Sequence, residues 1–231
     1  MLNLLAQPFY SLLMLYIHSD LMHSYKKVVH GKDLSNQERE DILNFRNDCY
    51  AKKQKYLVAE NDIQTETEKN YDLHSYHSRV FDKENNLVAV VRLLPFPFEL
   101  SALGVPADVR LSQYSNYLEI SRLVTNKPGL GIGKRLLIFA GIWAIRDTIY
   151  DGFLAVCRKK NLKLFSLFGL SRIANFGISH RPGAEYSLIK ADFRLITKCT
   201  LQFFTRKLNP VYQLALGIKI FSRSRFLTRS K

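Results

Sequence analysis

Apolar positions along this chain follow two rhythms. Behind Ser35-Asn36-Gln37-Glu38, a capping box, Ile42, Phe45, Arg46 and Cys49 recur at helical spacing. They predict a helix from about Asn36 to about Ala51, with Arg46 on its apolar face. The segment Ala59 to Tyr71 is acidic, shows no periodicity and reads as a long loop. Ser75 to Phe81 and Leu87 to Leu94 are β-rich runs joined by Asp82-Lys83-Glu84-Asn85-Asn86, the pattern of a hairpin. Pro95 and Pro97 end its second strand. Tyr117 to Thr125 is a further strand, and a glycine loop hands it to a helix from about Lys134 to about Tyr150, apolar enough for nearly complete burial. Phe153 to Val156 returns as a short buried strand, Arg158-Lys159-Lys160 opens an amphipathic segment through Phe168, and Tyr186 to Ile189 is a later strand. Asn209-Pro210 reads as an N-cap with proline at the first helical position, and Val211, Leu214, Ile218 and Phe221 form one stripe behind it. The order describes a mixed α/β sandwich around one sheet, without internal repeats.

Composition narrows the class. At 231 residues, 47% hydrophobic and 23% charged, the chain is long enough for one substantial core. Cys49, Cys157 and Cys199 are too few and too far apart for a disulfide framework or a zinc motif, which points to a reducing, cytoplasmic setting. Met1 to Ile17 is apolar but broken by Asn3, Gln7, Pro8 and Ser11 and lacks a basic leader, so residues 1–33 read as an arm packed on the body or on a membrane. The formal charge is +14, and from Phe193 to Lys231 there is no acidic residue against nine lysines and arginines. Residues 193–231 therefore read as a basic, apolar helical extension. It suits an acidic protein surface or peripheral contact at the inner membrane face better than nucleic acid; a helix pair covering the core is the alternative.

The chemistry concentrates around Leu118-Glu119-Ile120-Ser121-Arg122-Leu123-Val124 and the following Pro128-Gly129-Leu130-Gly131-Ile132-Gly133-Lys134. Gly129, Gly131 and Gly133 let the backbone turn its N–H groups toward one point, and the next helix aims its positive end there, so an anion fits. Arg135 in place of Ser or Thr after Lys134 excludes a P-loop. Glu119 and Arg122 are charges in an apolar strand, costly to bury without a partner or ligand. On a regular strand Glu119 and Ser121 share one face and Arg122 points to the other, so the three gather only across a bulge. A structural ion pair of Glu119 and Arg122 with Arg92 or Asp72 is the competing reading, as is a purely structural network of Arg46, Asp72 and Arg92. His74 and His77 lie on opposite strand faces with nothing to complete a metal site, so no metal is expected.

Four patches carry a resemblance. Arg46 with Tyr50 and Tyr56, then Tyr71-Asp72 with Ser75 and His77, then Arg92-Leu93-Leu94-Pro95, and last Leu118 to Arg122 together resemble the GNAT acyltransferase superfamily. Within it they are similar to the branch of N-acyl amino acid synthases and N-acyl-homoserine lactone (autoinducer) synthases. The resemblance implies a GNAT-like domain over residues 34–192, with a mixed central sheet flanked by helices. It also implies transfer of a fatty acyl group from acyl carrier protein, or acyl-CoA, to the amine of an amino acid or related metabolite, with no tightly bound cofactor. Glu119 would be the catalytic base, with Arg46, Tyr50, Asp72, His77, Arg92, Ser121 and Arg122 holding substrate. Backbone N–H groups of Leu123 and Val124 would hold the oxyanion, and Gly129, Gly131, Gly133 and Lys134 the phosphopantetheine phosphate. Basic Arg158, Lys159 and Lys160, with Lys134 and Arg135, would dock an acidic carrier protein. Pro128 stands where coenzyme A enzymes place Arg or Gln, which fits a donor with a single phosphate. Leu118 and Tyr56 stand where lactone synthases carry Trp, which argues against a lactone product made from S-adenosylmethionine. A non-catalytic, membrane-associated module on the same scaffold remains the rival from another class.

Overall fold

The computed structural model describes residues 11, 14–17, 19–53, 66–127, 130–166, 169–178 and 183–205. Among these residues seven strands form one sheet in the order β1-β2-β3-β4-β5-β7-β6. They are β1 (His23–His30), β2 (Tyr76–Asp82), β3 (Leu87–Leu94), β4 (Tyr117–Thr125), β5 (Gly152–Arg158), β6 (Ser171–Gly177) and β7 (Glu185–Asp192). The described helices are α1 (Asn36–Lys53), α2 (Glu66–Leu73), α3 (Ile132–Asp147), α4 (Leu162–Ser166) and α5 (Phe193–Thr205). Neighbouring strands are antiparallel except β4 and β5, which are parallel and joined by the α3 crossover.

Both faces of the sheet are covered. Leu136, Ala140 and Ala144 of α3 pack on Val91, Leu93, Leu118 and Phe153. Ile42, Cys49 and Tyr50 of α1 pack on the opposite face with Val90 and Val124. Alternation along β3 accounts for this: Val91 and Leu93 turn to α3, Val90 and Arg92 to α1. The capping box at α1 forms as its sequence predicts, with the Ser35 N–H donating to Glu38 Oε2 at 2.9 Å and the Glu38 N–H to Ser35 Oγ at 3.2 Å.

Three features depart from the expectations above. The sheet begins inside the segment read as an arm, because His23–His30 pairs with β2 as an edge strand. The stretch read as a long loop contains α2 from Glu66 onward. β6 is an edge strand that no hydrophobic run announced. The predicted helix behind Asn209-Pro210 lies outside the described residues. Among the described residues no helix is long and apolar enough to cross a membrane.

Candidate active site at the parting of two strands

β4 and β5 pair only from Tyr117 and Gly152 to Ile120 and Ala155. Beyond that point β4 stays paired with β3 as far as Thr125, and β5 stays paired with β7 through Arg158. Each strand is thus held from outside while pairing between the two ends, which leaves a break in the ladder inside the sheet. Backbone groups along such an opening have no strand partner across it and are ready for a chain-like ligand that carries amides.

A bulge shapes the edge of this break. Val90 faces Val124 and Arg92 faces Ser121, so two steps on β3 span three on β4. Arg122 takes the extra place with φ of 51°, a left-handed conformation rare for a side chain of this kind. The bulge turns its guanidinium to the face of Glu119 and Ser121, overriding the alternation of a regular strand. Leu123, next along, is 38% exposed.

Glu119 lies just before the parting and is 1% exposed. Its carboxylate accepts the Leu100 N–H at 3.2 Å and a further backbone N–H from Glu99. Both donors belong to a short 3-10 turn, Glu99–Leu103, that packs Phe98 and Leu100 on Leu154 of β5. Burial raises the Glu119 carboxyl to about 8, and the neighbouring Glu99 carboxylate pushes the same way against Arg92 and the two N–H groups. A carboxyl near 8 accepts and returns a proton at physiological pH.

Around it stands a buried charge network. Arg92, wholly buried, donates from Nε to Ser121 Oγ at 3.0 Å, from Nη1 to Asp72 Oδ1 at 3.0 Å, and from Nη2 to Glu99 Oε2. Arg46 holds Asp72 with both Nη groups, one at 2.9 Å. Arg122 donates from Nη2 to Glu99 Oε1. Burial alone would raise the Asp72 carboxyl, yet Arg46 foremost, then Arg92, hold it at about 2. His77 donates from Nε2 to the Asp72 carbonyl oxygen at 2.8 Å, and burial brings its ring down to about 4, so it is neutral with Nδ1 as an acceptor. That Nδ1 has no hydrogen-bond partner among the described residues. Gly31 backs this corner, because a Cβ there would overlap the Asp72 carbonyl oxygen.

The second wall is α3. Gly131, with φ of 72°, is its N-cap and supplies no side-chain cap, so the N–H groups of the first turn face outward at the positive helix end. A Cβ on Gly133 would lie 3.9 Å from Leu123 Cδ1, which places the loop beside the β4 bulge. Lys134 is half-buried on the first turn. Gly129 lies outside the described residues.

The structure therefore brings Arg46, Asp72, His77, Arg92, Ser121, Arg122 and Glu119 into one cluster on the α1 face. Leu123 and Gly133 meet beside the β4 bulge, and Val124 is buried against α1. Tyr50, one turn after Arg46 on α1, is buried with Val90 and Val124. Sequence reasoning missed Glu99, the carboxylate to which both Arg92 and Arg122 donate. One signal was present: Glu99 is the single acid within Phe96-Pro97-Phe98-Glu99-Leu100, an otherwise apolar stretch where a charge needs a partner. Among the described residues no group of three or more His, Cys, Asp or Glu could hold a metal ion.

No protein-family model matches the sequence, and no curated protein matches it. Solved structures do. The chain is similar to an acyl-CoA N-acyltransferase from Pseudomonas aeruginosa, with a TM-score of 0.56, 15% identity, and 73% of this chain and 99% of that one covered. It is similar to LasI, an AHL synthase, with a TM-score of 0.54, 13% identity, and 74% and 90% covered. It is also similar to FeeM, an N-acyl amino acid synthase from uncultured soil microbes, with a TM-score of 0.53, 13% identity, and 74% and 92% covered. With its parted parallel strands, bulged β4 and crossover helix behind a glycine turn, the chain has the fold of the GNAT acyltransferases.

Proposed function

We propose that this protein is an N-acyltransferase that moves a fatty acyl group from an acyl thioester, carried by acyl carrier protein or coenzyme A, to the amine of an amino acid or related metabolite. The observation that carries the reading is Glu119, buried and raised to about 8, at the point where β4 and β5 part. The pantetheine arm enters between the strands and pairs its amides with the backbone there. Its phosphate meets the first-turn N–H groups of α3 behind Gly131. The amine attacks the thioester carbonyl while Glu119 takes its proton, and N–H groups of Leu123 and Val124 stabilise the oxyanion. The N–C bond forms, the C–S bond breaks, and the proton passes from Glu119 to the leaving thiolate. Arg46, Arg92 and Arg122 hold the substrate side of the cluster, where a carboxylate on the amine would be favoured.

Proteins of this fold include an N-acyl amino acid synthase and an AHL synthase, so either product lies within what the scaffold hosts. Leu118 in the strand before Glu119 favours the amino acid. The basic tail after Phe193 would keep the enzyme at an anionic membrane face, near a lipidic product. Flotation with anionic vesicles, with and without that tail, tests this part. Product mass spectrometry on lipid extracts of cells overexpressing the chain tests the whole. An N-acyl amino acid supports the reading, an acyl lactone replaces it with the autoinducer reaction, and no new acyl product rejects it.

A further inference from the structure

Arg92 is near enough to act on Glu119 electrostatically, and Arg122 stands three residues after it on β4, yet among the described residues the carboxylate the two arginines share is Glu99: Arg92 donates to its Oε2 and Arg122 to its Oε1. Glu99 is 8% exposed, so neither contact is a loose surface pair. The same residue opens the 3-10 turn whose backbone N–H groups, its own and that of Leu100, point at Glu119. One short turn thus presents neutral donors to Glu119 and a charged acceptor to the arginines around it. We propose that Glu99 is a positioning residue that draws Arg92 and Arg122 away from Glu119 and so keeps Glu119 from settling into a permanent ion pair.

The charged and titratable groups around Glu119 among the described residues come from several elements, with the Tyr71 ring against Arg92. β3 contributes Arg92, β4 contributes Arg122, and the 3-10 turn contributes Glu99. Asp72, Arg46 and His77 stand one contact further out, through Arg92 or Asp72. β5 offers the apolar Leu154 opposite Glu119. Removing the charge of Glu99 while keeping its shape takes away the carboxylate that Arg92 and Arg122 share and lets them re-aim toward Glu119. An opposite charge that comes within about 4–6 Å lowers a carboxyl by about 1–3 pH units.

The inference rests on the acyl-transfer reading for its consequence but not for its test. In Glu99→Gln the Glu119 carboxyl is followed directly by infrared difference titration, its band assigned by loss in Glu119→Gln. We expect its midpoint to fall by about one to three pH units, with the rise of kcat at saturating amine moving to lower pH by the same amount. The double variant Glu99→Gln/Arg122→Gln, which removes one charge of each sign, should recover part of the shift and remains usable if the single variant fails to fold. A midpoint unchanged in both variants overturns the proposal, and so does one that falls equally in both, which is what loss of the Glu99 charge alone would give. A shifted midpoint in a protein that shows no acyl transfer upholds the role of Glu99 and rejects the proposed activity instead.

Discussion

Arg122 gives its guanidinium to Glu99, although Glu119 lies three residues before it on the same strand. The left-handed turn of Arg122 makes this contact, and a non-glycine residue in that conformation costs about 1–2 kcal/mol. Arg122→Gly and Arg122→Gln both remove the guanidinium, but only glycine relieves the backbone. The glycine variant should be the more stable of the two by about 1 kcal/mol, measured by urea unfolding, while both lose acyl transfer.

Glu119 titrates near 8 in the fold against 4.5 when free. The folded state holds this proton more tightly than the unfolded chain, so the contribution to stability is complete below 4.5 and lost as pH rises through 8. Glu119→Gln lacks that dependence. The melting temperature of wild type relative to the variant should fall steadily between those two pH values, with the variant overtaking at the alkaline end.

Asp72 behaves in the opposite sense. Its carboxyl is held at about 2, so its contribution is present above the free value of 3.8 and lost as pH falls through 2. Asp72→Asn leaves Arg46 and Arg92 buried beside a neutral amide, and breaking such a buried pair costs about 3–5 kcal/mol. Chemical denaturation near neutral pH should show a loss of that size, and the difference from wild type should shrink in strong acid.

Legibility followed burial. β4 and its bulged motif could be read because a buried strand must account for Glu119 and Arg122, and α1 because its capping box and periodic face survive in the fold. β1 could not, since Lys26 and Lys27 are exposed on an edge strand and mask the alternation. α2 is short and polar, so no hydrophobic stripe marks it. Glu99 is joined to Arg92 and Arg122 only by the path of the chain after β3, which no local pattern encodes.

Gly31, at the end of β1, donates its N–H to the Ser75 carbonyl at 2.7 Å and accepts from Arg39 at 2.9 Å. Its missing side chain leaves room for the Asp72 carbonyl that His77 donates to. Gly31→Ala should displace α2, lower stability by about 1–3 kcal/mol, and raise KM for the amine more than it lowers kcat, as steady-state kinetics would report.

The most direct measurement of the central claim is acyl transfer by purified protein. Wild type and Glu119→Gln are given a long-chain acyl thioester, on carrier protein and on coenzyme A, with a mixture of amino acids, and thiol release and product mass are followed together. Wild type should release thiol only when an amine is present and form the matching N-acyl amino acid, and Glu119→Gln should do so about 100-fold more slowly or worse. Equal rates in the two proteins would contradict the account.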